Sequence, residues 1–312
     1  MTHSRGSSAS PDTPERIVSA AAVGRLRTID LSGANGRVAP GSCYLRDTPA
    51  LNQHSGSQPD LFVSWTAVDA GTRTLDVILY FHGFAVDGER EALLSDFVDV
   101  SGLDPMKGGE SLADRKRPTI AIVPRGNASP TRSPSTPYWP YSFPAVANGG
   151  ATRLISDVLQ SFSSASQPIS GIAGALQLGR LIVMGHSGGR TGVIEVLKDR
   201  DHPPDEVYLF DALYGDPGSA LSDWIAGVIG NSSRHQRMWI GHLDGTAAIS
   251  NRVRELCAAA IGRAPSGQQA DLHERLRVVA VEGSHMGVPR RYARALLAVD
   301  DATPAVTDAS AD

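Results

Sequence analysis

The 312-residue chain sets 29 Lys and Arg against 33 Asp and Glu, for a formal net charge of −4, and 41% of it is hydrophobic. That balance excludes a disordered polyelectrolyte and a basic nucleic-acid-binding surface, and no dense Lys/Arg cluster speaks for one. No apolar run approaches the roughly 18 residues of a membrane span, and the length can bury a core without disulfide or metal staples.

Residues 1–15, rich in Ser, Pro and Thr, read as a disordered arm and residues 300–312 as a similar tail, leaving 16–299 as one domain. No hydrophobic signal segment is visible, so a cytoplasmic protein is the default expectation. Cys43 and Cys257 read as separate core thiols, with a single disulfide as the alternative. Short alternating strands between Val23 and Val68, such as LFVSWTAV, predict antiparallel edge strands. From Leu75 onward, buried-strand runs alternate with helical patterns. LDVILYF (Leu75–Phe81) precedes a helix near 89–100, and TIAIVP (Thr119–Pro124) precedes a long loop and a helix over 152–162. LIVMG precedes a helix over 188–198, and VYLFD, ending at Asp211, precedes one near 220–229. MWIGHLD, ending at Asp244, precedes a helix over 247–260, and LRVVAVEG leads to a last helix opened by Pro289. Such alternation indicates a mainly parallel sheet covered on both faces, with ligands bound beyond the carboxyl ends of the strands.

The residues just after each strand are therefore the candidates. LIVM runs into GHSGG and then RTGVIEVLK, a strand, a sharp turn and a helix. Ser187 at that turn reads as a nucleophile, with Gly185 and Gly189 letting strand and helix approach closely. A nucleophilic serine needs a general base, and the base an orienting acid. His285 follows the last strand and is the expected base. Asp244, after the strand before it, is the expected acid; Asp211, one strand earlier, is the alternative. Either aspartate could equally be a cap or turn residue. The developing oxyanion needs donors: the Gly188 amide is one, and the loop His82-Gly83-Phe84 supplies another, with the Phe84 amide as the expected donor.

His82 and His186, flanking these turns, are placed at the substrate, although His82 also reads as a side chain that orients its own loop. The stretch from Pro124 to Gly150 is long for a compact domain. Its Tyr138, Trp139, Tyr141 and Phe143 are expected either to wall the substrate pocket or to pin the loop to the body. Tyr214 and Trp224 are candidates for the same role. His242-x-Asp244 and His82 lack HExxH or CxxC spacing, so no metal and no other cofactor is expected.

On YFHGF, GHSGG, HLDG and EGSH, across about Leu75 to Leu297, the chain resembles the α/β-hydrolase superfamily, specifically its serine esterase and lipase-like members. The resemblance implies an α/β fold with a mainly parallel central sheet and helices on both faces. Residues 214–237 leave too little chain for a large helical cap, so a minimal cap is expected. The implied activity is hydrolysis of a carboxylic ester, in a small-molecule or lipid substrate, through an acyl-enzyme on Ser187, His285 and Asp244. The alternatives are a non-catalytic binding protein of the same fold, and an amidase, peptidase or acyltransferase using the same residues. The oligomeric state is not legible.

Overall fold

The β-branched and aromatic runs pair into one nine-stranded sheet: β1 (Ile17–Ser19), β2 (Gly41–Arg46), β3 (Leu61–Trp65), β4 (Thr74–Phe81), β5 (Thr119–Pro124), β6 (Gln177–His186), β7 (Glu206–Phe210), β8 (Arg237–His242) and β9 (Leu276–Ala280). The computed structural model describes residues 17–19, 29, 31–46, 61–83, 86–87, 90–91, 94–128, 141–170, 175–230 and 236–298. The expected arm (1–15) and tail (300–312), Phe84, Tyr138 and Trp139 lie outside them. Spatial order is β1-β2-β3-β5-β4-β6-β7-β8-β9. β3 runs antiparallel to both neighbours, and the strands from β5 across to β9 are all parallel. TIAIVP and EVYLF are buried along their whole length, as strands must be when helices cover both faces.

Alternation along each strand sorts side chains into two cores. Val77, Leu79 and Phe81 pack with α2 (Gly150–Ser170), α3 (Arg190–Leu197), α4 (Gly218–Gly230) and α5 (Ala247–Ile261). Ile78 and Tyr80 pack on the other face with α1 (Leu94–Ser101) and α7 (Val288–Ala298). Between β7 and β8 the described residues hold only α4, in keeping with a minimal cap.

Several elements differ from the sequence reading: α2 runs on to Ser170 rather than ending near 162. α1 begins at Leu94 rather than near 89, and β6 starts at Gln177, joining β4 across a register shift between Leu178 and Leu181. α6 (Ser266–Arg275) has no apolar period to announce it. It is held instead by the buried Leu272 and by Arg275, which bonds Asp271 at 2.8 Å and the Gln236 carbonyl at 3.3 Å.

At the far end of the sheet, buried Asp76 pairs with Arg115 and with Arg117 at 2.8 Å, and accepts from the Arg180 amide at 2.9 Å. A buried carboxylate persists only when so compensated. Arg115 also donates to the Leu297 carbonyl at 3.0 Å, so the same cluster anchors the end of α7. Cys43 and Cys257 are free and buried, and burial pushes the Cys257 thiol up to about 12, which removes it as a nucleophile. Among the described residues no helix is long and apolar enough to cross a membrane.

Candidate active site

β6 ends at His186, and the chain passes through a tight turn (Ser187–Gly189) straight into α3. Ser187 has φ +52, the left-handed region that L residues with side chains rarely occupy. The turn closes only because its neighbours are glycines. A Cβ on Gly185 would sit 2.7 Å from Val193 Cγ2, and one on Gly189 would run into the Phe81 carbonyl oxygen. The loop after β4 comes as close. A Cβ on Gly83 would lie 2.8 Å from Ser187 Cβ and 3.2 Å from His186 Nδ1. Backbone at Gly83 thus borders the serine, and the Gly188 amide, in the first turn, has no intrahelical acceptor.

β9 leads through Ser284 into a second short turn (His285–Gly287) ahead of α7. His285 Nδ1 donates to Asp211 Oδ2 at 2.7 Å. Asp211 directly follows β7 at φ +45, with its own amide donating to the Gly241 carbonyl at 2.7 Å. Its Oδ1 accepts from the Leu243 amide at 3.0 Å and from Thr246 Oγ1. Burial works to raise the Asp211 pKa, but the bonds from His285, Thr246 and Leu243 outweigh it and hold the carboxyl at about 2. An ionised carboxylate only accepts, so the His285 proton lies on Nδ1 and Nε2 keeps its lone pair.

The carboxylate on His285 is therefore that of Asp211, the alternative, and not that of Asp244. Asp244 is exposed, opens the turn after β8 (Asp244–Thr246), and makes no hydrogen bond to His285. The reason is local. Leu243 and Thr246, on either side of the Asp244-Gly245 pair, turn their donors onto Asp211, so this turn caps an acid instead of supplying one. Ser187 Oγ makes no hydrogen bond to His285 or to any other described residue.

His82 and His186 are both hydrogen-bonded to main chain, His82 as a side chain that orients its own loop. His82 is buried and stacked on Phe97, with ring centroids 3.9 Å apart. Its Nε2 accepts from the Gly126 amide at 3.0 Å, and Nδ1 donates to the Gly83 carbonyl at 2.8 Å, so it shapes the Gly83 loop. His186 is buried too, and its Nε2 donates to the His285 carbonyl at 3.0 Å. Phe143 packs edge-on against Phe81 at 4.8 Å and pins its loop, and the Trp224 indole donates to the Pro204 carbonyl at 3.0 Å. Tyr141 lies in a two-residue strand paired with Asn127–Ala128.

Tyr214 is exposed, with its hydroxyl 3.4 Å from both Asp211 Oδ2 and His285 Nδ1. Two residues escaped the sequence reading. Thr246, two residues after Asp244, carries no local signal for its bond to Asp211. Arg190 opens α3 and donates to the Gly215 and Asp216 carbonyls at 3.0 and 2.7 Å, fastening the Tyr214 loop to the helix that follows Ser187. Among the described residues no group of three or more His, Cys, Asp or Glu is arranged to hold a metal ion.

The exchange of β4 and β5 in the sheet, the single reversed strand β3 and the sharp strand-to-helix turn at Ser187 are the marks of the α/β-hydrolase fold, and this chain has that fold. It is similar to a ferulic acid esterase, with 11% identity over 83% of this chain and 97% of that one and a TM-score of 0.47. A fluorophosphonate-binding serine hydrolase of Staphylococcus aureus, with substrate bound, also gives 11% identity and a TM-score of 0.47, over 84% and 100% of the two chains. The feruloyl esterase module of Clostridium thermocellum gives 14% identity over 89% and 96%, with a TM-score of 0.45. No protein-family model matches the sequence, and no curated protein does. The sheet order itself defines the fold; the chemistry rests on this chain's own residues.

Proposed function

We propose that the protein is a serine hydrolase that cleaves carboxylic esters through an acyl-enzyme on Ser187. The observation that carries this reading is the His285–Asp211 pair at 2.7 Å, built beside a serine held at φ +52. Among the described residues the left-handed non-glycines are Asn35, Asn148, Ser187 and Asp211. Asparagine tolerates that region; a serine and an aspartate there, at the ends of neighbouring parallel strands, store strain of the kind that clusters at functional sites.

In the substrate complex, Ser187 Oγ attacks the ester carbonyl carbon while His285 Nε2 takes its proton. The carbonyl π electrons move onto oxygen, and the oxyanion is met by the Gly188 amide and the Gly83 loop. Collapse re-forms the carbonyl and breaks the bond to the alcohol oxygen, which leaves with the proton from Nε2. Water then attacks the acyl-enzyme, again giving its proton to His285, and the acid departs as Ser187 recovers its hydrogen. Asp211 stays ionised throughout, fixing the imidazole tautomer and stabilising the imidazolium. Resting enzymes frequently hold the serine–histidine contact long and tighten it with substrate. An ester asks least of such a site because an alcohol leaves more readily than an amine; an amidase or acyltransferase would use the same residues.

That Ser187 Oγ bonds no described residue favours a second reading, a binding protein on the same fold. Fluorophosphonate labelling with peptide mapping separates the two. A single adduct on Ser187, absent in Ser187→Ala, together with hydrolysis of short nitrophenyl esters, is the expected result. A folded protein that neither labels nor hydrolyses would leave the binding reading standing.

A further inference from the structure

Resting on the serine-hydrolase reading, we propose that His186 is a positioning residue: a neutral imidazole that ties the His285 turn to the nucleophile turn and so sets where His285 Nε2 meets Ser187 Oγ. His186 is peptide-bonded to Ser187, donates Nε2–H to the His285 carbonyl at 3.0 Å, and packs its ring 4.5 Å from the His285 ring. Its Nδ1 edge faces the glycine of the third segment, where a Cβ on Gly83 would come within 3.2 Å. One side chain thus touches the chain segments that carry the nucleophile, the base and the oxyanion loop.

The carbonyl it serves has a particular need. An α-helical turn would offer the His285 oxygen the amide four residues on, but that residue is Pro289, which has none. A leucine or phenylalanine at 186 would fill the space and offer no donor to a carbonyl that has lost that one.

The bond also fixes the tautomer. A ring that donates from Nε2 while neutral keeps its lone pair on Nδ1. Burial above all, and then the nearby His285, holds the His186 pKa down at about 4, against the bond to the His285 carbonyl and the charge of Asp211. His285 and Asp211 are the titratable groups that bear on it. His186 therefore stays uncharged while His285 cycles through imidazolium, and neither competes for the proton nor repels it.

The test compares wild type, His186→Gln, whose amide nitrogen can reach the Nε2 position, and His186→Phe, which cannot donate. A displacement near 1 Å at a reacting centre costs about 10²-fold, so His186→Phe is expected to lose on that order in kcat and in fluorophosphonate labelling rate, with KM little changed. His186→Gln is expected to recover most of the loss. A folded His186→Phe with wild-type kcat, or a Gln variant no better than Phe, overturns the proposal. Imidazole 15N NMR of the wild-type protein is an independent reading that needs no variant to fold. A neutral Nε2–H tautomer at pH 6 supports the proposal, and an imidazolium or an Nδ1–H tautomer overturns it. Failure of the hydrolase reading would look different: wild type itself would neither label nor turn over.

Discussion

The assignment of the acid to Asp211 makes the sharpest prediction, because Asp211→Asn and Asp244→Asn are the same chemical change at two strand ends. In Asp211→Asn the amide oxygen can still accept from the Leu243 amide and Thr246 Oγ1, so the turn after β8 stays in place. The amide nitrogen then faces His285 Nδ1, where the carboxylate had accepted at 2.7 Å. Two donors cannot face each other, so the imidazole proton moves to Nε2, the atom that must take the serine proton. A comparable tautomer error in a serine protease costs about 10⁴ in kcat, or about 5 kcal/mol of transition-state stabilisation. The ground state suffers as well. A buried carboxyl held at about 2 rather than 3.8 contributes about 2 kcal/mol of stability at neutral pH, which the variant forfeits. Asp244, exposed and unbonded to His285, should cost less than about threefold in kcat when replaced. Steady-state hydrolysis of a short nitrophenyl ester gives kcat and KM for both variants, and urea unfolding gives the stability arm. Loss of activity in Asp244→Asn with Asp211→Asn near wild type would refute the assignment and the tautomer argument together.

Three further outcomes follow from the same contacts. Gly83→Ala places a methyl 2.8 Å from Ser187 Cβ, so kcat should fall by at least about tenfold with secondary structure by circular dichroism unchanged; wild-type kcat would mean the loop does not border the serine as described. Thr246→Val removes one of the donors on Asp211 Oδ1, a bond to a charged group worth about 1.5 to 3 kcal/mol, and the lost stability should show in urea unfolding at pH 7 and fade as the carboxyl protonates. His186 titrates near 6.5 when unfolded and at about 4 when folded, so between those values the unfolded state binds more protons. Stability must then fall as pH drops from 6.5 to 4, by at most about 3 kcal/mol from this residue, and His186→Gln should flatten that slope; an unchanged slope would contradict its buried neutral state. The Asp211 contribution is lost lower, as pH falls from about 3.8 to 2, and should persist in the His186 variant.

What the sequence made legible follows from how local each determinant is. The strands announce themselves because residues such as TIAIVP are covered on both faces and need no polar partner. The Ser187 turn is legible because its demands, Gly185 behind and Gly189 ahead, fall within two residues of the serine. His285 is legible from its place after the last strand. The choice between Asp211 and Asp244 is not, since both follow apolar strands and both precede residues that suit a turn. It is decided by a positive φ at Asp211 and by donors arriving from Leu243 and Thr246, more than thirty positions downstream. His186 lies between these cases. Period-two alternation sets it on the face of Ile182 and Met184, toward α7, so its burial among the residues of that core was within reach of the sequence. Its partner was not: the His285 carbonyl lies 99 residues away, and Pro289, which denies that carbonyl the amide four residues on, reads locally only as the start of a helix. The same separation explains why His186, beside the Ser187 turn, reads from the sequence as a residue facing a substrate. Adjacency in sequence to a reacting residue is equally what a side chain needs to hold that residue in place, and only the long-range hydrogen bond tells the two roles apart.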